Sequence, residues 1–441
     1  MPIASSLYFV VLTTFLEILK NWWWVLLPFV LWKPFLFLWL WWRIETWLGQ
    51  QRWVLLEVKL PKEVLKPIRA METVMASVHA VLYQPPDWWE KWIDGQVQLS
   101  INFELASVDG VPHFYIRTPV QYRAAVESSF YSQYPEIEIK EVDDYVKYVP
   151  QNIPNKDWDM FGSDYKTSKD DHYPIKTYPQ FETEHEPLEE KRVDPVASLA
   201  EAMAKIKPGE QLWIQIMACP LAEDKGTQDI GVPTSIPWLA AGKALRDKLA
   251  RRTENPKEKP MIQEAAEILI TGKVGVEEKK EEIIPPEMKL TPGEREIVGQ
   301  LEIKMGKPVF NTTVRFIYMG RRDVWFKPNF RLAFSYFNSY ATTNLNMLIP
   351  TGKTLTKIHK HWFLPINMIR DRRHYLRCRK LFRNYVRRLT PFFPRGGGTF
   401  MLNTEELASL FHFPGKAVVP SPGIARIEAK KAGVPPELPI E

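Results

Sequence analysis

Only two cysteines, Cys219 and Cys378, occur in 441 residues. That excludes a disulfide framework, and with no Cys pair at ligand spacing it excludes zinc-finger chemistry as well. The motifs of hydrolases and metalloproteases, GxSxG and HExxH, are absent. A nucleotide-driven motor needs GxxxxGK[ST], whose glycines let backbone N–H groups wrap a phosphate. Gly352-Lys353-Thr354 supplies the tail of that motif, but Met347 stands where its first glycine belongs and no strand leads in, so this reads as a loop lysine. His359 and His361 form an HxH pair without a third ligand nearby, which reads as surface or packing residues. Carboxylate pairs such as Asp143-Asp144 are what any acidic loop offers. No catalytic, cofactor-binding or metal residue is assigned, and no enzyme activity or cofactor is expected.

Charge is not one-sided either. The 58 Lys and Arg against 52 Asp and Glu leave +6, too little to imply a nucleic-acid partner by itself. With 45 % hydrophobic and 25 % charged residues, the composition excludes a chain disordered throughout, a collagen-like repeat and a polytopic transporter. The 37 prolines punctuate the chain and form no repeat.

A long hydrophobic run occurs once. Residues 22–42, WWWVLLPFVLWKPFLFLWLWW, carry one charge in 21 positions. On a helix that span is about 31 Å, the thickness of a bilayer hydrocarbon core. Trp22, Trp23 and Trp24 at one end and Trp39, Trp41 and Trp42 at the other match an aromatic belt. Pro28 and Pro34 would kink such a helix, and Lys33 would face a partner helix or snorkel. The preceding apolar stretch, broken by Glu17, suggests an interfacial helix. A cleaved signal is disfavoured, because MPIASS lacks a positive charge and Trp follows the run. Arg43, Arg52, Lys59, Lys62, Lys66 and Arg69 follow the span against Lys20 before it, so a single-pass inner-membrane protein with its bulk in the cytoplasm is expected.

Beyond the anchor the periods are readable. RWVLLEVKL (52–60) reads as a strand, and Val64, Ile68, Met71, Met75, Val78 and Leu82 form one helical stripe. Val97 to Leu105 alternates as a strand, Asp109-Gly110 signals a hairpin, and VPHFYIRTP (111–119) returns. Tyr122, Val126 and Phe130 mark a helix, and Ile137, Ile139 and Val142 a last strand. The order β-α-β-β-α-β is that of the split βαβ, or ferredoxin-like, fold. Asp194 caps a second set of elements: a helix with Val196, Leu199 and Met203, the strand QLWIQIMAC (211–219), a helix begun by the capping box Thr291-Pro292-Gly293-Glu294, the strand FNTTVRFIYMG (310–320) and a helix over Phe330 to Tyr340.

The expectation is therefore an α+β protein: an N-terminal transmembrane anchor followed by two ferredoxin-like units, the second with a long charged insertion. Its boundaries are 1–50 for the anchor (interfacial helix 6–20, transmembrane helix 22–42), 51–150 for the first unit and 151–190 for a connection. The second unit is 191–350 with its insertion at 220–290, and 351–441 holds a basic helix and a Pro-rich tail.

The concentrated feature is RDRRHYLRCRKLFRNYVRRL (370–389). Arg370, Arg372, Arg373, Arg377, Arg379, Lys380, Arg383, Arg387 and Arg388 stand against one Asp, with aromatic and aliphatic residues interleaved. Docking of an acidic partner, contact with anionic lipid, contact with a nucleic-acid backbone and a solvated basic helix all fit this pattern.

Several ordered blocks resemble a known family. HFYIRTPVQYRAAVESSFYSQYPEIEIKEVDDY (113–145), PNKDWDMFGSDY (154–165), LTPGEREIVGQLEIKMGKPVF (290–310), VRFIYMGRRDVW (314–325), Asn344-Leu345-Asn346 and LNTEELASLFHFPG (402–415) look like the N-terminal membrane-anchored region of HerA/TraG-type ATPases of candidate-phyla bacteria, relatives of conjugative, type IV secretion motors. In the fused relatives a P-loop ATPase domain follows. The resemblance thus implies the platform half of a split motor: a homo-oligomeric, non-catalytic scaffold of a type IV secretion- or DNA-transfer-type machine that docks a separate HerA/TraG-like ATPase at the membrane. The alternative is a membrane-anchored nucleic-acid-binding protein using the 370–389 helix.

Overall fold

Strand patterns in this chain bury both faces, and in the computed structural model one large sheet explains why. The structure describes residues 2–61, 64, 66–181, 194–221, 238–251, 290–358, 369–389, 398–415 and 426–427. The described residues form two units: those of 2–52 and 84–98, and those of 53–83, 99–221 and 238–427.

In the first unit, helix α1 (Pro2–Gln50) runs unbroken where an interfacial helix and a separate span are expected. Trp39 Nε1 donates to the Trp92 carbonyl at 2.9 Å, and Arg43 donates to that of Ile93. The π-helical turn Glu90–Asp94 ends at Gly95, whose φ of 75° and close approach to the Arg43 backbone leave no room for a Cβ. Among the described residues, no helix is long and apolar enough to cross a membrane. This overturns the transmembrane anchor and the single-pass inner-membrane placement. The composition of 22–42 gives the reason: seven of its positions are Trp, two are Pro and one is Lys. An indole carries an N–H that favours an interface over hydrocarbon, so a Trp-rich run is less apolar than its ring area suggests. The backbone at Trp22, Trp23 and Trp24 is helical, and their side chains lie outside the described residues.

The second unit is built on a ten-stranded sheet. Its strands are β1 (Trp53–Pro61), β2 (Ile101–Val108), β3 (Val111–Pro119), β4 (Glu138–Glu141), β5 (Trp158–Thr167), β6 (Glu210–Pro220), β7 (Val309–Arg321), β8 (Leu348–Pro350), β9 (Thr399–Asn403) and β10 (Arg426–Ile427). The order is β10-β1-β3-β2-β6-β7-β5-β8, with β4 also on β1 and β9 also on β7. All ladders are antiparallel except the short one between β10 and β1.

Two ferredoxin-like units are therefore not what forms. The join lies where β2 pairs with β6 from Ile101↔Ala218 to Val108↔Gln211, so neither strand is an edge. The supposed connection 151–190 supplies β5, which pairs with β7 from Trp158↔Arg321 to Asp164↔Arg315. In that strand Gly162 is required, because a Cβ there would lie 2.5 Å from the Phe316 carbonyl. Part of the supposed tail, β9 and the helix after it, belongs to the core. Most of the expected insertion 220–290, the His359–His361 pair and the last residues of the chain lie outside the described residues.

Helices cover both sheet faces. On one lie α2 (Ile68–Leu82), α3 (Arg123–Gln133), α4 (Pro195–Ala204), α7 (Arg331–Asn338) and α9 (Thr404–Leu410), packed through residues such as Met71, Phe130, Leu199, Tyr336 and Leu407. α5 (Trp238–Leu249) packs against α6 (Pro292–Met305). The opposite face, with Ala106, Trp213, Ile317 and Met160, is covered by α8 (Arg370–Val386) and by Tyr145 to Ile153.

Candidate functional site

Helix α8 is the element that carries the basic segment, and its inner side is apolar. Cys378, Leu381, Phe382 and Tyr385 recur at helical spacing and are buried against the sheet. Cys378 is a free thiol, its pKa pushed up to about 12 by burial, and so it packs as a small hydrophobe.

The helix ends in a Schellman motif. Arg388 N–H donates to the Tyr385 carbonyl at 3.0 Å and Leu389 N–H to that of Asn384 at 2.9 Å. Arg388 occupies the left-handed position with φ 51°, where glycine is usual. At this position the arginine side chain makes contacts that a glycine could not. The guanidinium forks onto Glu104, with Nε to Oε1 and Nη2 to Oε2 both at 3.0 Å, and onto Asp144, with Nη2 to Oδ1 at 2.9 Å and Nη1 to Oδ2. Burial opposes the charge on Arg388, but Glu104 and Asp144 outweigh it and hold the group firmly ionised. Burial likewise pushes Glu104 up, while Arg388 beside it keeps the carboxyl below its ordinary range.

Glu104 starts a polar row across the sheet. In register it faces Gln215, Gln215 faces Arg315, and Arg315 faces Asp164, on strands β2, β6, β7 and β5. All four side chains are completely buried. Gln215 Nε2 donates to Glu104 at 2.9 Å, Arg315 Nη1 to Gln215 at 3.3 Å and Arg315 Nε to Asp164 at 2.6 Å. The row is tied to α8 by Arg315 Nη2, which donates to the Leu389 carbonyl at 3.0 Å. Tyr145 donates to Glu104 at 2.7 Å and lies 2.8 Å, oxygen to oxygen, from the Tyr385 hydroxyl. Burial, reinforced by the Glu104 charge, pushes both phenols far above their ordinary range, so they stay protonated. This network fixes one angle and one register for α8.

The basic residues thus divide. Arg388 is buried and clamps the helix. Arg377 donates to the carbonyls of Gly352 and Leu355, Arg379 to that of Gln151 at 2.9 Å, and Arg370 pairs with Asp371. Arg372, Arg373, Arg383 and Arg387 are exposed, and none of their side chains has a hydrogen bond or ion pair among the described residues. Lys380 is half-buried on the same outer side.

Along that side runs an open groove of about 550 Å³. Leu376, Phe382 and Val386 give it an apolar lining; Arg379, Lys380, Arg383 and Arg387 give it positive charge. Gln151 is its other polar lining residue.

The remaining candidates separate from this place. Gly352-Lys353-Thr354 is a structural loop: Thr354 Oγ1 accepts from Asp164 N–H at 3.0 Å, and the neighbouring Thr356 Oγ1 accepts from Gly162 N–H at 3.0 Å. Asp144 belongs to the clamp. Asn346 is a buried staple whose Oδ1 accepts from the N–H groups of Ser168, Lys169 and Met347. In the first unit Trp32, Phe35, Trp39 and Trp42 form a ladder of rings with centroids 6.4, 6.4 and 5.6 Å apart. Lys33 and Trp41 are exposed on the same helix. No group of three or more metal-ligating side chains occurs among the described residues.

Sequence reasoning missed Glu104, Gln215, Arg315 and Asp164. For Glu104, Gln215 and Arg315 the signal is a charged or amide residue inside a largely apolar strand, as in LWIQIMAC and VRFIYMG, whereas Asp164 sits in a polar segment that gives no such signal. Pairing them requires the register, which spans more than a hundred residues of chain.

Fold and geometry define the class: an α+β protein with one mixed-cover sheet and a clamped, outward-basic helix. The family model of a domain of unknown function, DUF8128, matches residues 45–421, and the chain belongs to that family. No curated protein matches it.

Proposed function

We propose that the protein acts by binding, as a scaffold that docks an acidic partner on the outer side of α8. The observation that supports this is the division of the arginines. Arg388 is spent on holding the helix, while Arg372, Arg373, Arg383 and Arg387 stand exposed on it without partners among the described residues. A helix immobilised by buried ion pairs presents its charges at little further entropic cost. The resemblance of residues 113–145, 154–165, 290–310, 314–325, 344–346 and 402–415 to the N-terminal region of HerA/TraG-type ATPases suggests the partner: a separate ATPase of that type in a secretion- or DNA-transfer machine, met by several copies of this chain.

Mass photometry of the full chain with and without a HerA/TraG-like ATPase tests this. A defined oligomer that grows when the ATPase is added is the expected result. A monomer indifferent to the ATPase overturns it. The competing reading, a nucleic-acid binder, then predicts DNA affinity that falls steeply with salt and disappears when the exposed arginines are replaced.

A further inference from the structure

We infer that the groove along α8 receives an acidic amphipathic helix of a partner protein. This rests on the docking reading above and specifies the element that is docked. Leu376, Arg379, Lys380, Arg383, Val386 and Arg387 recur at steps of three and four and therefore share one side of the helix. From Leu376 to Arg387 the stripe is about 16 Å long, or three helical turns.

Two properties select the occupant. The first is charge: among the described residues four cations line the groove and no carboxylate does. Asp371, the helix's acid, lies at the other end and pairs with Arg370. The second is the apolar lining, with Leu376 54 % exposed and the half-buried Val386 beside it, over the core residue Phe382. A phosphate backbone engages the cations and gains nothing from this lining. A helix with carboxylates at i and i+4 and leucines between them uses both, burying the apolar strip and answering the charges. The receiving surface is ready-made: Arg379 is held by the Gln151 carbonyl, and α8 is clamped by Arg388 on Glu104 and Asp144.

The test uses the full chain and a fluorescent designed peptide of about four helical turns with Glu at i and i+4 and Leu between. Its controls are a scrambled peptide of the same composition, a short DNA duplex and vesicles with an anionic headgroup. Fluorescence anisotropy is expected to show binding of the amphipathic peptide about tenfold tighter than of the scrambled one. The double variant Arg383→Glu/Arg387→Glu should weaken it by a further factor of about ten. Leu376→Ser, which leaves every charge in place, should weaken it severalfold. Equal binding of the two peptides overturns the inference, because bare electrostatics would then suffice. So does binding unchanged by the double variant, or DNA or vesicles that bind more tightly and are not displaced by the peptide. If the ATPase is recruited but the peptide does not compete, the groove inference fails and the docking reading stands. If the peptide binds and no ATPase is recruited, the reverse holds.

Discussion

On one face of the sheet Phe103, Ile214 and Phe316 meet five helices mainly through apolar contact; on the other, the same strands present Glu104, Gln215 and Arg315 to one helix. The first face gains stability in proportion to area and tolerates small shifts. The second gains much less, because desolvating charges offsets most of their attraction. What it contributes is a single geometry for α8, since hydrogen bonds fail when a helix slides or rotates and apolar contacts do not. Bulk stability and placement of α8 are assigned to opposite sides of the same strands.

The largest effect should come from the apolar face. Phe316→Ala removes a fully buried ring from the middle of β7 and should cost about 3–5 kcal/mol. Urea unfolding should show a lower midpoint with an unchanged slope. A loss below 1 kcal/mol would mean that this face is less tightly packed than the sheet geometry requires.

Arg388→Met tests the polar face. Glu104 would be left buried without its cation, a loss of roughly 3 kcal/mol. Adding Glu104→Gln should recover part of that loss. No such rescue is expected for Phe316→Ala, and this difference separates a charge network from a packed core. Arg388→Gly is a second diagnostic: it relieves the left-handed strain yet removes the clamp, so it should destabilise in spite of its favourable backbone.

A smaller, pH-dependent contribution comes from His412 beneath the apolar face. Its Nδ1 faces the carbonyls of Ala408 and Ser409, both at 3.1 Å, and its Nε2 lies 2.9 Å from Asp194 Oδ1, so both nitrogens serve as donors. Burial lowers the affinity of His412 for its proton, but Asp194 and the two carbonyls outweigh this and raise the pKa above the ordinary 6.5. Burial raises that of Asp194, and His412 with the first N–H groups of α4 lowers it below 3.8. A raised histidine stabilises fully below its unfolded value and loses that contribution as pH rises through the folded one; a lowered carboxylate loses its contribution as pH falls. The pair therefore contributes most between about pH 4 and 6.5. The melting temperature of the wild type relative to His412→Gln should fall from pH 6 to pH 9. A constant difference would mean that the imidazole is neutral in the fold.

Most elements were legible because their periods are local. The capping box at Thr291–Glu294 forms as read, with Thr291 N–H donating to Glu294 Oε2 at 2.8 Å. β5 was not legible: WDMFGSDYKT mixes Asp, Gly, Ser and Lys, and it becomes a strand because β7 pairs with it. The β2–β6 join was invisible for a related reason, since nothing within either strand encodes a partner about a hundred residues away. In α8 the run of arginines is plain, but which one is buried depends on Glu104 and Asp144. The run at 22–42 reads as more apolar than it is because the ring area of its tryptophans hides their polar indole N–H groups.

The smallest effect on stability is the one that tests the proposed docking most directly. Arg383→Glu/Arg387→Glu alters exposed side chains outside the clamp, and surface changes of this kind usually fall within about 0.5 kcal/mol. Both lie near the C-terminal end of α8, where positive charge complements the helix dipole, so a slight loss rather than a gain is expected. Arg388→Met should do the reverse, lowering stability while the outer charges remain. If partner binding follows the exposed pair and not the clamp when both proteins are fully folded, holding and binding are separate tasks on one helix. If binding instead falls equally with Arg388→Met, then the exact placement of α8 is itself part of recognition, and the polar row serves the partner as directly as the outer arginines do.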